Sequence, residues 1–211
     1  MAFLNWQRLL VALPGVLVAI TFHEYCHGLV ALWLGDPTAQ RAGRLSPEPW
    51  AHIDWWGFLA LLLVGFGWAK PVPIDPRYFR RPQRDMMWVG LAGPASNFVM
   101  AFVAALLLVA WARLGWGTAG IAGAINLVVQ AALVLNVAFG VFNLIPIPPL
   151  DGSRVLAGVL PGAAARALYR IEPYGLFILV GALVLTPLLT WLDPLRTWLA
   201  TALYQAARHV L

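Results

Sequence analysis

Charge is nearly absent from four long stretches of this chain. Residues 9–34, 86–112, 119–143 and 173–192 are apolar runs that hold a single charged residue between them, Glu24. A helix needs about 20 residues to cross a hydrocarbon core about 30 Å thick, so each run is read as a membrane span. A fifth run, 55–69, is shorter. As a helix it reaches only about 22 Å, too little to cross untilted. It is read as a re-entrant or interfacial hairpin, with Gly57, Gly65 and Gly67 easing the bend.

The polar stretches between the runs carry their own signals. Residues 38–54 hold Gly43, Pro47 and Pro49, and a loose alternation from Ala39 to Ser46 predicts a short strand or hairpin at the membrane surface. Pro71, Pro73, Pro76 and Pro82 predict a stiff, extended loop over 70–84. In the tail, Trp191, Leu195, Trp198, Leu199 and Leu203 recur at helical spacing, which predicts an interfacial helix over 194–209. No internal repeat or low-complexity tract interrupts the pattern. The predicted fold is an all-α membrane protein: a polytopic helical bundle with a short membrane-surface β segment and a re-entrant or interfacial hairpin. It is read as a single domain over 1–211, with a core at about 9–155 and a C-terminal span and helix at about 173–209.

Composition agrees with this reading. The chain has 211 residues, of which 61% are hydrophobic and 11% charged; soluble domains carry about 25% charged residues. A net charge of +5 taken alone points to nucleic acid, but the distribution of basic residues excludes it. If 55–69 does not cross, ten of the fourteen basic residues fall in 35–85 and 144–172, on one side of the membrane. The positive-inside bias makes that side cytoplasmic. Many of the eleven tryptophans stand at segment ends, among them Trp6, Trp55, Trp56, Trp88 and Trp191, and read as anchors in the lipid interface. The lone cysteine, Cys26, excludes an intrachain disulfide. The first run ends in Leu34-Gly35-Asp36 rather than a small-x-small site, so no cleavable signal peptide is expected.

Within the first run sit His23-Glu24-Tyr25-Cys26-His27. An ionisable side chain at mid-membrane costs roughly 2.5–3.5 kcal/mol on insertion scales, so this cluster needs a reason. His23 and His27, four apart, stand one turn apart on one helix face and can share a metal ion. H-E-x-x-H is the zinc-protease signature, with the glutamate placed to take a proton from water at the metal. The plainer alternative is a pair of histidines hydrogen-bonded to other helices. A catalytic zinc wants a third protein ligand. Asp36 lies too far along the same helix. Asp151 follows Asn143-Leu144-Ile145-Pro146-Ile147-Pro148-Pro149-Leu150, where three prolines break the preceding span. Such a segment can turn back into the bundle and present Asp151 to the metal; alternatively, Asp151-Gly152 is a surface turn. Asn143 alone is equally a helix C-terminal cap. Gly93 and Asn97, at i and i+4, offer a small face for close helix packing plus one polar group. His52 and Asp54 are either groups that orient a ligand or residues solvated at the interface. Cys26 turns away from the histidine face and reads as buried filler.

These residues resemble the site-2 proteases, the intramembrane zinc metalloproteases. Three elements match in order: His23 to His27, the G-x-x-x-N stretch Gly93 to Asn97, and N-x-x-P-x-x-x-L-D-G from Asn143 to Gly152. The stretch Gly67-Trp68-Ala69-Lys70-Pro71-Val72-Pro73 also resembles the compact bacterial members. The resemblance implies a Zn2+ cofactor held by His23, His27 and Asp151, with Glu24 as general base. It implies that Asn143 holds substrate or steadies the oxyanion, and Gly93, Asn97 and His52 are expected at the substrate. Two departures from the family pattern are expected: the loops leave no room for the peptide-binding domain that many members insert, and no extra leading span of the kind some relatives carry is expected.

The expected activity is cleavage of transmembrane or membrane-tethered protein segments by a multi-pass, inner-membrane enzyme whose site lies nearer the cytoplasmic side. Substrates would unwind locally, and the 38–54 segment could add a strand to the extended peptide. The expected partners are that substrate and the lipid bilayer, with no nucleic acid. Two alternatives remain open at this point. A prenyl-protein-type membrane protease would take a late glutamate, Glu172, as third ligand. A metal transporter or non-catalytic scaffold would bind without cutting, though transporters usually show repeated halves.

Overall fold

The computed structural model describes residues 6–64 and 67–211. The expected hinge at Gly65 lies outside the described residues. Long apolar sequence becomes long helix: α1 (Trp6–Trp33), then, after the short α2 (Thr38–Arg41) and α3 (Trp55–Val64), α4 (Pro82–Arg113) and α5 (Gly120–Asn143). The chain continues through α6 (Asp151–Val159), α7 (Gly162–Ile171), α8 (Gly175–Leu185) and α9 (Leu188–Val210). Among the described residues, four helical stretches are long and apolar enough to cross a membrane: Leu9–Trp33, Pro82–Arg113, Gly120–Asn143 and Gly162–Leu185. This is a multi-pass helical membrane protein. Trp55, Trp56, Trp88 and Trp191 are all exposed, as interface anchors must be.

Helices α1, α4 and α5 form the centre, and small residues let them approach. A Cβ on Gly15 would stand 2.9 Å from the Cα of Ala132, so α1 meets α5 nearly backbone to backbone. Ala101, Ala104 and Ala105 of α4 pack with Leu133, Val137 and Val141 of α5 in one buried cluster. Leu199, Ala200, Leu203 and Tyr204 of α9 pack against the same cluster, and Ala207 lies within it. The tail expected to lie at the interface from residue 194 is therefore a longer helix seated on α4 and α5. Its sequence spacing was correctly helical; of the five apolar positions, Leu199 and Leu203 face α4 and α5, whereas Trp191, Leu195 and Trp198 are exposed. The fourth span is also offset from 173–192. It begins at Gly162, turns through Glu172–Tyr174 and stops at Leu185, because Pro187 forces Thr186 into extended backbone.

Two features of the loop between α1 and α4 differ from or sharpen the sequence reading. The strand expected over Ala39–Ser46 is the short helix α2 followed by a turn. Asp36, fully buried, accepts from the Thr38 N–H at 2.9 Å and also from the Thr38 hydroxyl, which starts the helix. Gly43, at φ +64°, ends it: the N–H groups of Gly43 and Arg44 return to the carbonyls of Gln40 and Ala39. A capped start and a left-handed glycine outweigh a loose two-residue alternation. Among the described residues, β pairing is confined to one antiparallel bridge, Ile53 with Ala69. That bridge bears on the fifth run. With the Lys70 N–H donating to the His52 carbonyl at 2.9 Å, it places the two ends of 55–69 side by side. The run therefore returns to the level at which it began. Asp54 Oδ1 caps α3 by accepting from the N–H groups of Trp56 and Gly57.

Candidate metal centre

His23 and His27 are carried on α1, and each ring is held from behind by a group on α4. His23 Nδ1 faces Asn97 Oδ1 at 2.8 Å, and His27 Nδ1 faces the Val89 carbonyl at 2.6 Å. Pro94 interrupts the hydrogen-bond ladder of α4 in this same stretch. Because both Nδ1 atoms face acceptors, each neutral ring carries its hydrogen there and turns a bare Nε2 lone pair the other way. The two Nε2 atoms stand 3.0 Å apart.

Asp151 completes the convergence. The chain leaves α5 at Asn143, passes the proline-rich turns and re-enters as α6, whose first residue is Asp151. Gly152 makes the re-entry possible: a Cβ there would stand 2.2 Å from the Leu144 carbonyl oxygen. Asp151 Oδ2 lies 3.0 Å from His23 Nε2 and 3.2 Å from His27 Nε2. Its Oδ1 has Arg154 Nη1 at 3.7 Å. All three residues are buried, and their donor atoms lie within 4.8 Å of one another.

The donor set fits a metal ion. Two imidazole lone pairs and a carboxylate oxygen meet with no hydrogen between them, an arrangement that repels unless a cation sits among the three. There is also space for one. A Cβ built on Gly93 would stand 2.4 Å from His27 Nε2 and 2.6 Å from His23 Cε1, so the glycine leaves open a cradle that any side chain would fill. Two nitrogens and one oxygen with an open remaining position suit catalytic zinc.

The other expected residues lie as follows. Glu24, half-buried on the next step of α1, accepts from the Val72 N–H through Oε2 at 2.9 Å. Asn97, expected at the substrate, is fully buried. Its amide donates to the Ala19 carbonyl at 3.0 Å and to Asn136 Oδ1 at 3.2 Å, and its oxygen serves His23. Gly93 faces the two imidazole rings. Asn143, half-buried, donates back to the Phe139 carbonyl of its own helix at 3.1 Å rather than to the three donors. His52 is fully buried and its Nε2 pairs with the Ser46 carbonyl at 2.7 Å, so it supports the loop beneath α3. Glu172 pairs with Arg154 at 4.0 Å and does not join the histidines. Sequence reasoning passed over Val72 and Asn136. Val72 offers only a backbone group, which leaves no trace in sequence. Asn136 did leave one, as an amide deep in an apolar run, though Asn126, Gln130 and Asn143 share that run.

Residues 117–186 match the family model described as Peptidase family M50. A Bacillus subtilis protein named "Putative zinc metalloprotease YwhC" is 37% identical over 174 residues, covering 82% of this chain and 79% of that protein. The chain belongs to peptidase family M50. A Mycolicibacterium smegmatis member, named in the same way as Rip2, is 30% identical over 200 residues, covering 90% of this chain and 72% of that one. A Methanocaldococcus jannaschii member, MJ0611, is 30% identical over 152 residues, covering 70% and 69%. No solved structure matches. Membership of M50 bears out the resemblance to the site-2 proteases. With the four apolar spans, it makes this protein a membrane metalloprotease with protein substrates, and zinc is the metal its donors suit.

Proposed function

We propose that this M50 member is an intramembrane zinc endopeptidase that cleaves transmembrane or membrane-tethered segments within the bilayer. The observation that carries the reading is depth. His23 lies ten residues before the end of α1, about 15 Å along the helix axis and so near mid-membrane. His27 lies one turn nearer that end, about 6 Å further along the axis, and Asp151 meets both.

His23, His27 and Asp151 hold the metal, which when bound supplies a Lewis acid that makes water more acidic and polarises a peptide carbonyl. Glu24 is the general base. One of its oxygens is fixed by the Val72 N–H, so the carboxylate stands in a set orientation with its other oxygen free for water. It takes the proton of the attacking water and returns it to the leaving amine. Asn143 donates to the carbonyl oxygen as charge develops there, once substrate displaces its bond to Phe139. The substrate must unwind locally, because a helical amide is shielded by its own hydrogen bonds. The basic loops support a site nearer the cytoplasmic face.

Co-expression with candidate single-span proteins tests this, with fragments read by mass spectrometry. Glu24→Gln should lower the cleavage rate by about 10²–10⁴-fold, the usual worth of a positioned general base. Unchanged fragment yield in Glu24→Gln would exclude the reading.

A further inference from the structure

We infer that Asn136 is a positioning residue for the metal centre. It acts from α5 through Asn97 to fix which nitrogen of His23 carries the hydrogen. This rests on the metal-binding role proposed above for His23.

A ligand histidine binds through Nε2 only if its hydrogen sits on Nδ1. For His27 that choice is made in one step, because a backbone carbonyl, which can only accept, faces Nδ1. For His23 the facing group is a carboxamide, which presents either an oxygen or an NH2. If Asn97 were reversed, its NH2 would face His23 Nδ1. The ring hydrogen would move to Nε2 and point at Asp151 and His27. Something must therefore hold Asn97 with its oxygen towards His23.

The structure shows what does. The NH2 of Asn97 is set between two oxygens, the Ala19 carbonyl at 3.0 Å and Asn136 Oδ1 at 3.2 Å. Reversal would bring the Asn97 oxygen against both. Asn136 could itself reverse, but its NH2 donates to the Ala132 carbonyl at 2.8 Å, and a carbonyl cannot donate. The direction of the whole chain is thus set by backbone carbonyls, on α5 by Ala132 and on α1 by Ala19. It passes through Asn136 and Asn97 to the lone pair on His23 Nε2. Asn97 and Asn136 are both fully buried, so no water competes for these bonds.

Asn136→Leu removes one of the two oxygens that orient Asn97, at nearly constant volume. Asn136→Ala carries the same test where leucine does not pack. Asn136→Asp is the conservative rescue. Buried there, the carboxyl is protonated, its O–H donates to Ala132, and its carbonyl still accepts from Asn97. Asn126→Leu is the control, a second buried amide on α5, bonded to Gln130 and not to Asn97. Two measurements apply: the 15N spectrum of histidine-labelled, metal-free protein, which has only four histidines to assign, and zinc affinity by chelator competition.

The expected result is a mixture of His23 tautomers in Asn136→Leu and at least a tenfold loss of zinc affinity, the lower end for groups that orient metal ligands. Both return to wild-type values in Asn136→Asp and are unaltered in Asn126→Leu. The inference is overturned if His23 stays wholly Nδ1-protonated in both deletion variants. It is also overturned if Asn126→Leu loses zinc as strongly as Asn136→Leu does. Failure of zinc binding in the wild-type protein would instead overturn the metal assignment itself.

Discussion

Gly93→Ala adds one methyl group and should empty the metal centre without unfolding the protein. The Cβ would stand 2.4 Å from His27 Nε2, and 2.6 Å from both His23 Cε1 and His27 Cε1. Non-bonded carbon contacts are comfortable at about 3.5–4.0 Å, so both rings must retreat by about 1 Å. Each ring is tethered at Nδ1, by bonds of 2.8 Å and 2.6 Å. A retreat of that size stretches or breaks them. If the rings hold their places instead, the methyl group takes the space a metal needs at about 2.0–2.1 Å from each nitrogen. Disturbing a group behind a ligand usually costs about 10–100-fold in metal affinity. Filling the cradle itself should cost more than about 100-fold. Replacing a mid-helix glycine by alanine gains about 0.8–1.0 kcal/mol, which offsets only about half of the loss at the two stretched bonds at about 1 kcal/mol each, so the melting temperature falls slightly while the fold holds. The assay is elemental analysis of zinc per chain after equilibration with a competing chelator, alongside circular dichroism on heating. Wild-type zinc affinity in Gly93→Ala would refute the geometry on which the site is built.

Three further outcomes follow from the contacts described. Asp151→Ala should lose stoichiometric zinc and all cleavage, whereas Glu172→Ala, which removes only a partner of Arg154 at 4.0 Å, should keep both on elemental analysis and the fragment assay. The reverse result would make Glu172 the ligand and restore the prenyl-protein-type alternative. Asp36→Ala orphans the Thr38 and Asp75 N–H groups, which the carboxylate now accepts at 2.9 Å and 2.7 Å. At about 1–3 kcal/mol for each buried unpaired donor, the variant should melt measurably lower while holding wild-type zinc, and an unchanged melting temperature counts against the clamp.

Legibility in the sequence tracked the energetic cost of a residue in its setting. His23, Glu24 and His27 were legible because ionisable groups in a 26-residue apolar run are expensive, and chemistry is the usual reason for them. Asp151 was legible only as one of two options, since an Asp-Gly pair after prolines also makes a surface turn. The choice depends on whether α6 packs back along α4, and that depends on Gly152 meeting the Leu144 carbonyl. Asn136 was passed over because a neutral amide in an apolar helix costs less than a charge, and many such groups bond their own backbone. The expected strand at Ala39–Ser46 failed for a different reason. Eight residues of weak alternation carry little energy against the helix start at Asp36 and the stop at Gly43, both of which were present in the sequence as turn chemistry.

Gly93 shows where local reading stops. Its spacing from Asn97 correctly indicated a face made for close approach, but spacing cannot say what approaches. A packed neighbouring helix and a pair of imidazole rings ask the same thing of that position, namely the absence of a side chain. The two cases separate only when α1 and α4 are in register and the histidine rings are found over the glycine. The same holds for Asn97, whose amide faces inwards to His23 and Asn136, where the sequence reading had expected it at the substrate. In a membrane bundle, polar residues off the catalytic helix are under pressure to find partners inside the protein. Their first duty is therefore to orient the groups beside them, which leaves substrate contact, on the function proposed above, to groups whose bonds can be exchanged, such as the Asn143 amide now bonded to its own helix.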